Sequence, residues 1–138
     1  MDDRNPARAT LGGAGDGRLA GRRILLLEDE MMVAMLVQDM LEEAGAVTSA
    51  VNTVPKALAL VETEGFDAAI LDVNLAGKPS YPVADALAAK GIPFVFATGY
   101  SHAGLDPAYR DVGVLAKPYR SETLVEVVAS LVPPPESA

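Results

Sequence analysis

The chain has 138 residues, half of them hydrophobic, and a formal net charge of −8 at pH 7. This length predicts one domain with a sizeable core, and the absence of cysteine excludes disulfides, thiolate catalysis and Cys-ligated metals. The acidic balance gives no basic footprint for nucleic acid. No apolar stretch resembles a membrane span or a signal peptide. We therefore expect a cytoplasmic protein that binds neither nucleic acid nor membrane.

The two ends of the chain differ from its middle. Residues 1–21 are rich in glycine and lack hydrophobic periodicity, which predicts a flexible N-terminal tail. The three consecutive prolines that begin at Pro133 predict a second tail over 133–138. The folded unit is therefore expected to span 22–132.

Strand and helix patterns alternate within this unit. Apolar runs predict strands at 23–28, 46–51, 67–72, 92–98 and 112–116. Amphipathic spacing predicts helices at 31–44, 54–64, 82–90 and 122–132, and Gly104 and Pro107 allow only a short or mobile helix between Tyr100 and Asp111. Five βα units predict an α/β fold, a doubly wound five-stranded parallel sheet with helices on both faces.

The first predicted helix has an apolar face that includes Val33, Leu36 and Val37, and Gly45 follows as a C-terminal cap. It also carries four methionines, Met31, Met32, Met35 and Met40. We interpret these methionines as flexible fillers of the core rather than as a metal-binding group.

Four of the predicted strands end on residues that handle phosphate or a metal ion. Glu28, Asp72 and Thr98 are the last residues of the first, third and fourth predicted strands, and Asp29 and Lys117 directly follow the first and the fifth. Because ligands of open α/β sheets bind at the carboxyl ends of the strands, these side chains are expected to share one site. Carboxylate ligands without His or Cys favour Mg²⁺. A remaining carboxylate could attack phosphorus, while a lysine neutralises charge on the phosphoryl oxygens and a hydroxyl donates to them.

These residues and their order resemble the receiver domain of two-component response regulators over about 22–132. The resemblance rests on Leu27-Glu28-Asp29-Glu30, Leu71-Asp72, Thr98 and Lys117-Pro118. It implies a (βα)5 flavodoxin-like fold with strand order 2-1-3-4-5. It also implies that Asp72 accepts phosphate from a phosphohistidine on a sensor histidine kinase or phosphotransfer protein. Mg²⁺ would be bound by Glu28, Asp29, Asp72 and the backbone carbonyl of Asn74, and Thr98 and Lys117 would contact the phosphoryl group.

One position departs from the common receiver pattern. Many receivers place an aromatic switch residue three positions before the lysine, and here that position holds Val114. The string Phe96-Ala97-Thr98-Gly99-Tyr100 instead resembles the subfamily named FAT GUY, which is associated with kinases of the HWE and related types. Candidate switch and output residues are therefore Gly99, Tyr100, Val114 and Tyr119.

The resulting hypothesis is a stand-alone receiver, monomeric or weakly dimeric, that signals through protein contacts or phosphorelay. It would not be an enzyme beyond slow self-catalysed phosphorylation and dephosphorylation. One alternative is a pseudo-receiver that is never phosphorylated and serves as a protein-binding scaffold. Another is an aspartyl-nucleophile phosphatase, but such enzymes use a second Asp two residues after the nucleophile, where this chain has Asn74.

Overall fold

The computed structural model describes residues 17–75, 77–98, 113–116 and 120–132. It contains seven strands and four helices in this part of the chain. The strands are β1 Arg23–Leu27, β2 Val47–Val51, β3 Ala68–Asp72, β4 Asn74–Leu75, β5 Lys78–Pro79, β6 Phe94–Thr98 and β7 Val114–Ala116. The helices are α1 Met31–Glu43, α2 Val54–Thr63, α3 Tyr81–Ala89 and α4 Ser121–Leu131. None of these four helices combines the length and the apolar character that a membrane span needs.

Five strands form one parallel sheet in the order β2-β1-β3-β6-β7. When these five strands are numbered one to five along the chain, their order in the sheet is 2-1-3-4-5. The predicted strand order is therefore confirmed. The remaining two strands, β4 and β5, pair with each other in a short antiparallel hairpin directly after β3. The predicted helix between Tyr100 and Asp111 lies outside the described residues.

The central strands are buried on both faces, and their side chains alternate between two cores. Ile24 and Leu26 of β1 belong to a cluster with α1 and α4. Leu25 and Leu27 belong to a cluster on the opposite face, with α2 and α3. All five residues of β3 are buried. In the described part of the chain the sheet therefore forms the middle of three layers.

Local sequence signals determine where α1 ends and where α2 begins. Gly45 adopts a φ of 101° just after α1, a conformation that glycine reaches at low cost. A Cβ at this position would lie 2.8 Å from the Cα of Ala20. The hydroxyl of Thr53 accepts a hydrogen bond of 3.3 Å from the amide of Lys56 at the start of α2, which is the N-cap geometry. At α4 the N-cap residue is Arg120, without a side-chain cap.

The segment 17–21 is part of the folded unit, although the sequence pattern predicts that it belongs to the tail. It forms a turn against the C-terminal end of α1, where the amide of Leu19 donates to the carbonyl of Ala44 at 2.9 Å and that of Gly21 to the carbonyl of Gly45 at 3.0 Å. The Leu19 side chain is fully buried in the α1–α4 cluster. The ordered unit therefore begins at least five residues before the predicted boundary at 22.

The interpretation of the α1 methionines as core residues is wrong for three of them. Met31, Met32 and Met35 are exposed, and so is Leu36, which was expected to face inward. Val37 and Leu41 fill the core instead, because the face of α1 that meets the sheet is narrower than the apolar stretch of its sequence. Only Met40 packs against the core, and it is half-buried.

Arg22 and Arg23, at the start of β1, interact with acidic groups. Arg23 donates to Glu64 at 2.6 Å and to the carbonyl of Gly65 at 2.9 Å, and Arg22 lies 3.9 Å from Asp67. These pairs tie the start of β1 to the loop between α2 and β3. Both guanidinium groups therefore interact with groups of the fold itself.

Candidate functional site

The register of the sheet brings two acidic residues to the same level at its carboxyl edge. Leu27 of β1 pairs with Leu71 of β3, so Glu28, directly after β1, lies beside Asp72, the last residue of β3. The amide of Glu28 donates to the carbonyl of Val51 at 3.0 Å and extends the β1–β2 ladder by one step. The backbone at Glu28 is thus fixed by the sheet.

Asp29 completes a cluster of three carboxylates with Glu28 and Asp72. One oxygen from each group lies within 4.8 Å of the others. Glu28 is 2% exposed and Asp72 is also buried, whereas Asp29 is exposed. Three anions this close repel one another, and a cation removes the repulsion. Because every donor is a carboxylate oxygen, the set fits a hard divalent ion such as Mg²⁺.

The Glu28 side chain also supports the start of α1. Its Oε2 accepts a hydrogen bond of 3.0 Å from the amide of Glu30, the N-cap residue of the helix. A carboxylate at this place is stabilised by the positive end of the helix dipole. Glu28 therefore belongs to the acidic cluster and also binds the backbone at the start of α1.

Thr98 ends the neighbouring strand β6 and is buried at the same edge. Asp72 pairs with Ala97, so Thr98 lies one position further along the adjacent strand. The amide of Val73 donates to the carbonyl of Ala97 at 3.2 Å and holds the end of β3 against β6. The fold thus brings together four of the predicted site residues, Glu28, Asp29, Asp72 and Thr98.

The β4–β5 hairpin follows Asp72 and begins with Asn74, whose backbone pairs with Pro79. Gly77 supplies the positive φ of 89° that the turn requires. The amide of Ser80 donates to the carbonyl of Val73 at 3.0 Å and closes the hairpin. The Ser80 hydroxyl is fully buried and has no hydrogen-bond partner within the part of the chain that the structure describes.

The remaining predicted site residues divide into two groups. Lys117, Gly99, Tyr100 and Tyr119 lie outside the described residues. Val114 is half-buried in β7 and pairs with Phe96. The Phe96 ring in turn makes an edge-to-face contact with Tyr81, with centroids 5.9 Å apart. Aromatic packing is thus present beside Val114 even though this position has no ring of its own.

Two depressions flank Asp29. The larger, a groove of about 430 Å³, runs between α1 and the end of β2, and its lining includes Met31, Met35 and Lys56 together with Glu28 and Asp29. The smaller, of about 340 Å³, is lined by Thr53, Leu75 and Lys78 among others. The sequence did not predict either depression. The signal for the larger one was the unusual number of methionines in the first two turns of α1.

Comparison with known proteins agrees with this geometry. A family model described as the response regulator receiver domain matches residues 24–129. The chain belongs to this family. As a receiver it is part of the two-component systems, and the matched range contains the three carboxylates, Thr98 and Lys117.

Individual relatives support the assignment at different levels. The receiver is 49% identical to SdrG from Sphingomonas melonis Fr1, with a TM-score of 0.69 over 80% of this chain and 96% of that one. It is 25% identical to TrrA from Thermotoga maritima, solved in complex with Mg²⁺-BeF, with a TM-score of 0.72 over 80% of this chain and 99% of that one. The transcriptional regulatory protein PdtaR of Mycobacterium tuberculosis is 30% identical over 112 residues, which are 78% of this chain and 55% of PdtaR. The chain thus spans about half the length of this curated relative.

Proposed function

We propose that the protein is a phosphoacceptor switch in which Asp72 receives a phosphoryl group in a Mg²⁺-dependent reaction. The observation that carries this proposal is the cluster of Glu28, Asp29 and Asp72, whose oxygens lie within 4.8 Å of one another at the carboxyl edge of the sheet. A structural role alone does not require three carboxylates to meet, because their repulsion destabilises the fold. The complex of TrrA with Mg²⁺-BeF adds support, because that relative binds the divalent ion that we propose for the carboxylate cluster of this chain.

The reaction assigned to Asp72 is nucleophilic attack on the phosphorus of a phosphohistidine. The P–N bond breaks with its electron pair going to the imidazole, and a bond between phosphorus and the carboxylate oxygen forms. A bound Mg²⁺ would be held by Glu28, Asp29, Asp72 and the backbone carbonyl of Asn74, and it would supply positive charge opposite the phosphoryl oxygens. Thr98 and Lys117 are proposed to contact the same oxygens.

Incubation with acetyl phosphate and Mg²⁺ tests the proposal directly. We expect a mass increase of one phosphoryl group in the wild-type chain and none in Asp72→Asn, which keeps the size of the side chain. Removing Mg²⁺ with a chelator should abolish the reaction. A wild-type chain that neither gains mass nor responds to beryllofluoride would favour the pseudo-receiver scaffold. Multiple turnover of a phosphate ester would favour a phosphatase.

We further propose that the phosphodonor is a kinase of the HWE or a related type. The support is the FAT GUY string, which begins at Phe96. Phosphotransfer to the wild-type chain should be faster from HWE-type kinases than from other kinases of the same genome. Equal rates from both groups would contradict this assignment.

The signal is proposed to leave the site from Thr98 through Gly99 and Tyr100, because Val114 provides no aromatic ring to relay it. Output then occurs through protein contacts or phosphorelay. Amide hydrogen exchange in 99–111 should change on beryllofluoride binding. Unchanged exchange in this segment would contradict the route while leaving phosphorylation of Asp72 intact.

A further inference from the structure

Two lysines lie on either side of Asp29. Lys56 lines the groove of about 430 Å³ that also contains Glu28 and Asp29, and Lys78 lines the smaller depression of about 340 Å³ next to the same aspartate. Lys56 belongs to the first turn of α2, after β2, and Lys78 belongs to β5, in the hairpin after β3. Both therefore follow the carboxyl ends of strands, at the edge of the sheet where the three carboxylates meet. We call Lys56 and Lys78 the lysine pair.

The positive charges of the lysine pair are not neutralised by the fold. Both side chains are exposed, and in the part of the chain that the structure describes neither ammonium group forms an ion pair, unlike Arg22 and Arg23. The Nζ of Lys56 donates to the Oδ1 of Asn52 at 3.4 Å, and this neutral amide leaves the charge of the lysine in place. Two positive charges are therefore open to solvent beside the acidic cluster.

An anionic ligand meets an unfavourable field at this site. The chain has a net charge of −8, and three carboxylates lie at the site itself, of which a bound Mg²⁺ offsets only two negative charges. An acyl phosphate is a dianion at neutral pH, so the protein as a whole opposes its approach to Asp72. Positive side chains at the rim of a site reverse such a field locally and raise the rate at which anions arrive.

We propose that the lysine pair determines how fast small dianionic phosphodonors, such as acyl phosphates, react with Asp72, because it attracts the free ion to the acidic edge. In the reaction a carboxylate oxygen of Asp72 forms a bond to phosphorus, and the P–O bond to the acyl group breaks with its electron pair going to the departing carboxylate. Lys56 and Lys78 are assigned no contact with the reacting atoms, so they are specificity-determining residues rather than catalytic ones. This inference rests on the proposed phosphoacceptor function and names a class of donor for the same site.

A small donor is the ligand that the lysine pair suits best. The whole charge of an acyl phosphate lies in its phosphoryl group, so its path follows the local potential around Asp29 and Asp72. A protein donor carries many other charges and buries a larger surface around the site. Two exposed lysines therefore change the approach of a protein donor less than that of a small ion.

Neutral and reversed charges at the lysine pair measure the attraction. At saturating Mg²⁺ and about 0.05 M ionic strength, we expect Lys78→Gln to lower the second-order rate constant for acetyl phosphate about twofold, and Lys56→Gln/Lys78→Gln about fourfold, as Coulomb's law with screening gives for a dianion roughly 10 Å from each charge. Lys56→Glu/Lys78→Glu should lower it by about tenfold or more for the same reason. At about 1 M salt, where the Debye length is about 3 Å, all these variants should match the wild type.

Three controls separate attraction from other effects. Lys78→Arg keeps the charge and should react as the wild type does. Lys90 is exposed at the C-terminal end of α3, before β6 and thus at the opposite edge of the sheet, so Lys90→Gln makes the same change of net charge with little effect on the rate. Phosphoramidate, whose protonated amino group lowers its net charge to one, should lose about half as much as acetyl phosphate on a logarithmic scale.

Several outcomes would overturn the role of the lysine pair. These are wild-type rates for the glutamate variant, a loss that persists at high salt or in Lys78→Arg, an equal loss in Lys90→Gln, and equal losses with phosphoramidate or with an autophosphorylated kinase as donor. A wild-type chain that takes phosphate from a kinase but from neither small donor would also overturn it, while leaving the phosphoacceptor function intact. A wild-type chain that takes phosphate from none of these donors would contradict the phosphoacceptor function itself.

Discussion

The three clustered carboxylates have different structural surroundings. Glu28 and Asp72 are buried at strand ends, and the Glu28 side chain accepts a hydrogen bond from the amide of Glu30. Asp29 is exposed, so its side chain can be changed with little effect on packing. This makes Asp29 the position at which charge repulsion can be separated from the other contributions to stability.

Asp29→Asn should stabilise the protein in the absence of Mg²⁺. The substitution removes one of three negative charges whose oxygens lie within 4.8 Å. We expect the free energy of unfolding to rise by up to about 1 kcal/mol, the Coulomb energy of two unit charges about 4 Å apart in water. Urea unfolding with a chelator measures this difference.

The same measurement with Mg²⁺ provides the control. A cation that binds only the folded state stabilises it by mass action, so Mg²⁺ should stabilise the wild type more than Asp29→Asn. Equal stabilisation of both proteins would show that Asp29 is not a ligand.

Gly45 is a second position at which one residue controls stability. Its φ of 101° opposes a side chain, and so does the 2.8 Å distance that would separate an added Cβ from the Cα of Ala20. We expect Gly45→Ala to lower the free energy of unfolding by at least about 2 kcal/mol. Gly65→Ala is the matched control, because a Cβ there meets nothing within 4 Å, and its effect should stay within about 0.5 kcal/mol. Similar unfolding midpoints for the two variants in urea would contradict this account.

At the scale of elements, α1 shows how far periodicity predicts structure. Its bounds, Met31–Glu43, follow the predicted 31–44 closely, because the apolar spacing and Gly45 are local signals. The exposure of Met31, Met32 and Leu36 could not be predicted in the same way. The pattern shows that a residue is apolar, but only the position of the sheet determines which apolar residues are covered.

Oxidation by dilute hydrogen peroxide should distinguish the exposed methionines from the packed one. Met31, Met32 and Met35 are exposed and Met40 is half-buried against the core. Each thioether gains one oxygen atom as the peroxide is reduced to water. We expect peptide mass spectrometry to detect sulfoxide at the first three positions before it appears at Met40. Simultaneous oxidation of all four in the folded protein would contradict the assigned packing of α1.

The β4–β5 hairpin is the element that the sequence did not predict. Each of its strands has two residues, Asn74–Leu75 and Lys78–Pro79, which is too short for an alternating pattern. Glycine, here Gly77, favours a turn, but a turn residue alone does not identify a strand pairing. By contrast, the acidic site could be predicted, because the carboxyl ends of parallel strands meet at one edge of the sheet for any conformation of the loops.

At the scale of the whole molecule, the sheet order was predictable and the start of the folded unit was not. Leu19 lies among glycine, alanine and arginine residues, so it has no large apolar neighbours that would indicate burial. Its place in the core depends on the turn at 17–21 and on the hydrogen bonds to Ala44 and Gly45. Such long-range contacts are not encoded in local periodicity.

Two N-terminal deletions test where the folded unit begins. Removal of residues 1–16 should leave the free energy of unfolding unchanged, in line with the predicted tail. Removal of residues 1–21 also deletes the buried Leu19 and should cost about 3 kcal/mol, as expected for loss of a core leucine. Chemical denaturation of both proteins measures the difference. Equal stability would mean that Leu19 contributes nothing to the core.

The buried Ser80 hydroxyl has a practical consequence. Because the chain contains no cysteine, Ser80→Cys introduces a single thiol of nearly the same shape, and a thiol tolerates apolar surroundings better than an unpaired hydroxyl does. Its rate of labelling by a thiol reagent then reports how often the hairpin beside Asp72 opens. Comparing the labelling rate with and without beryllofluoride would show whether ligand binding at the acidic edge changes how often the hairpin opens.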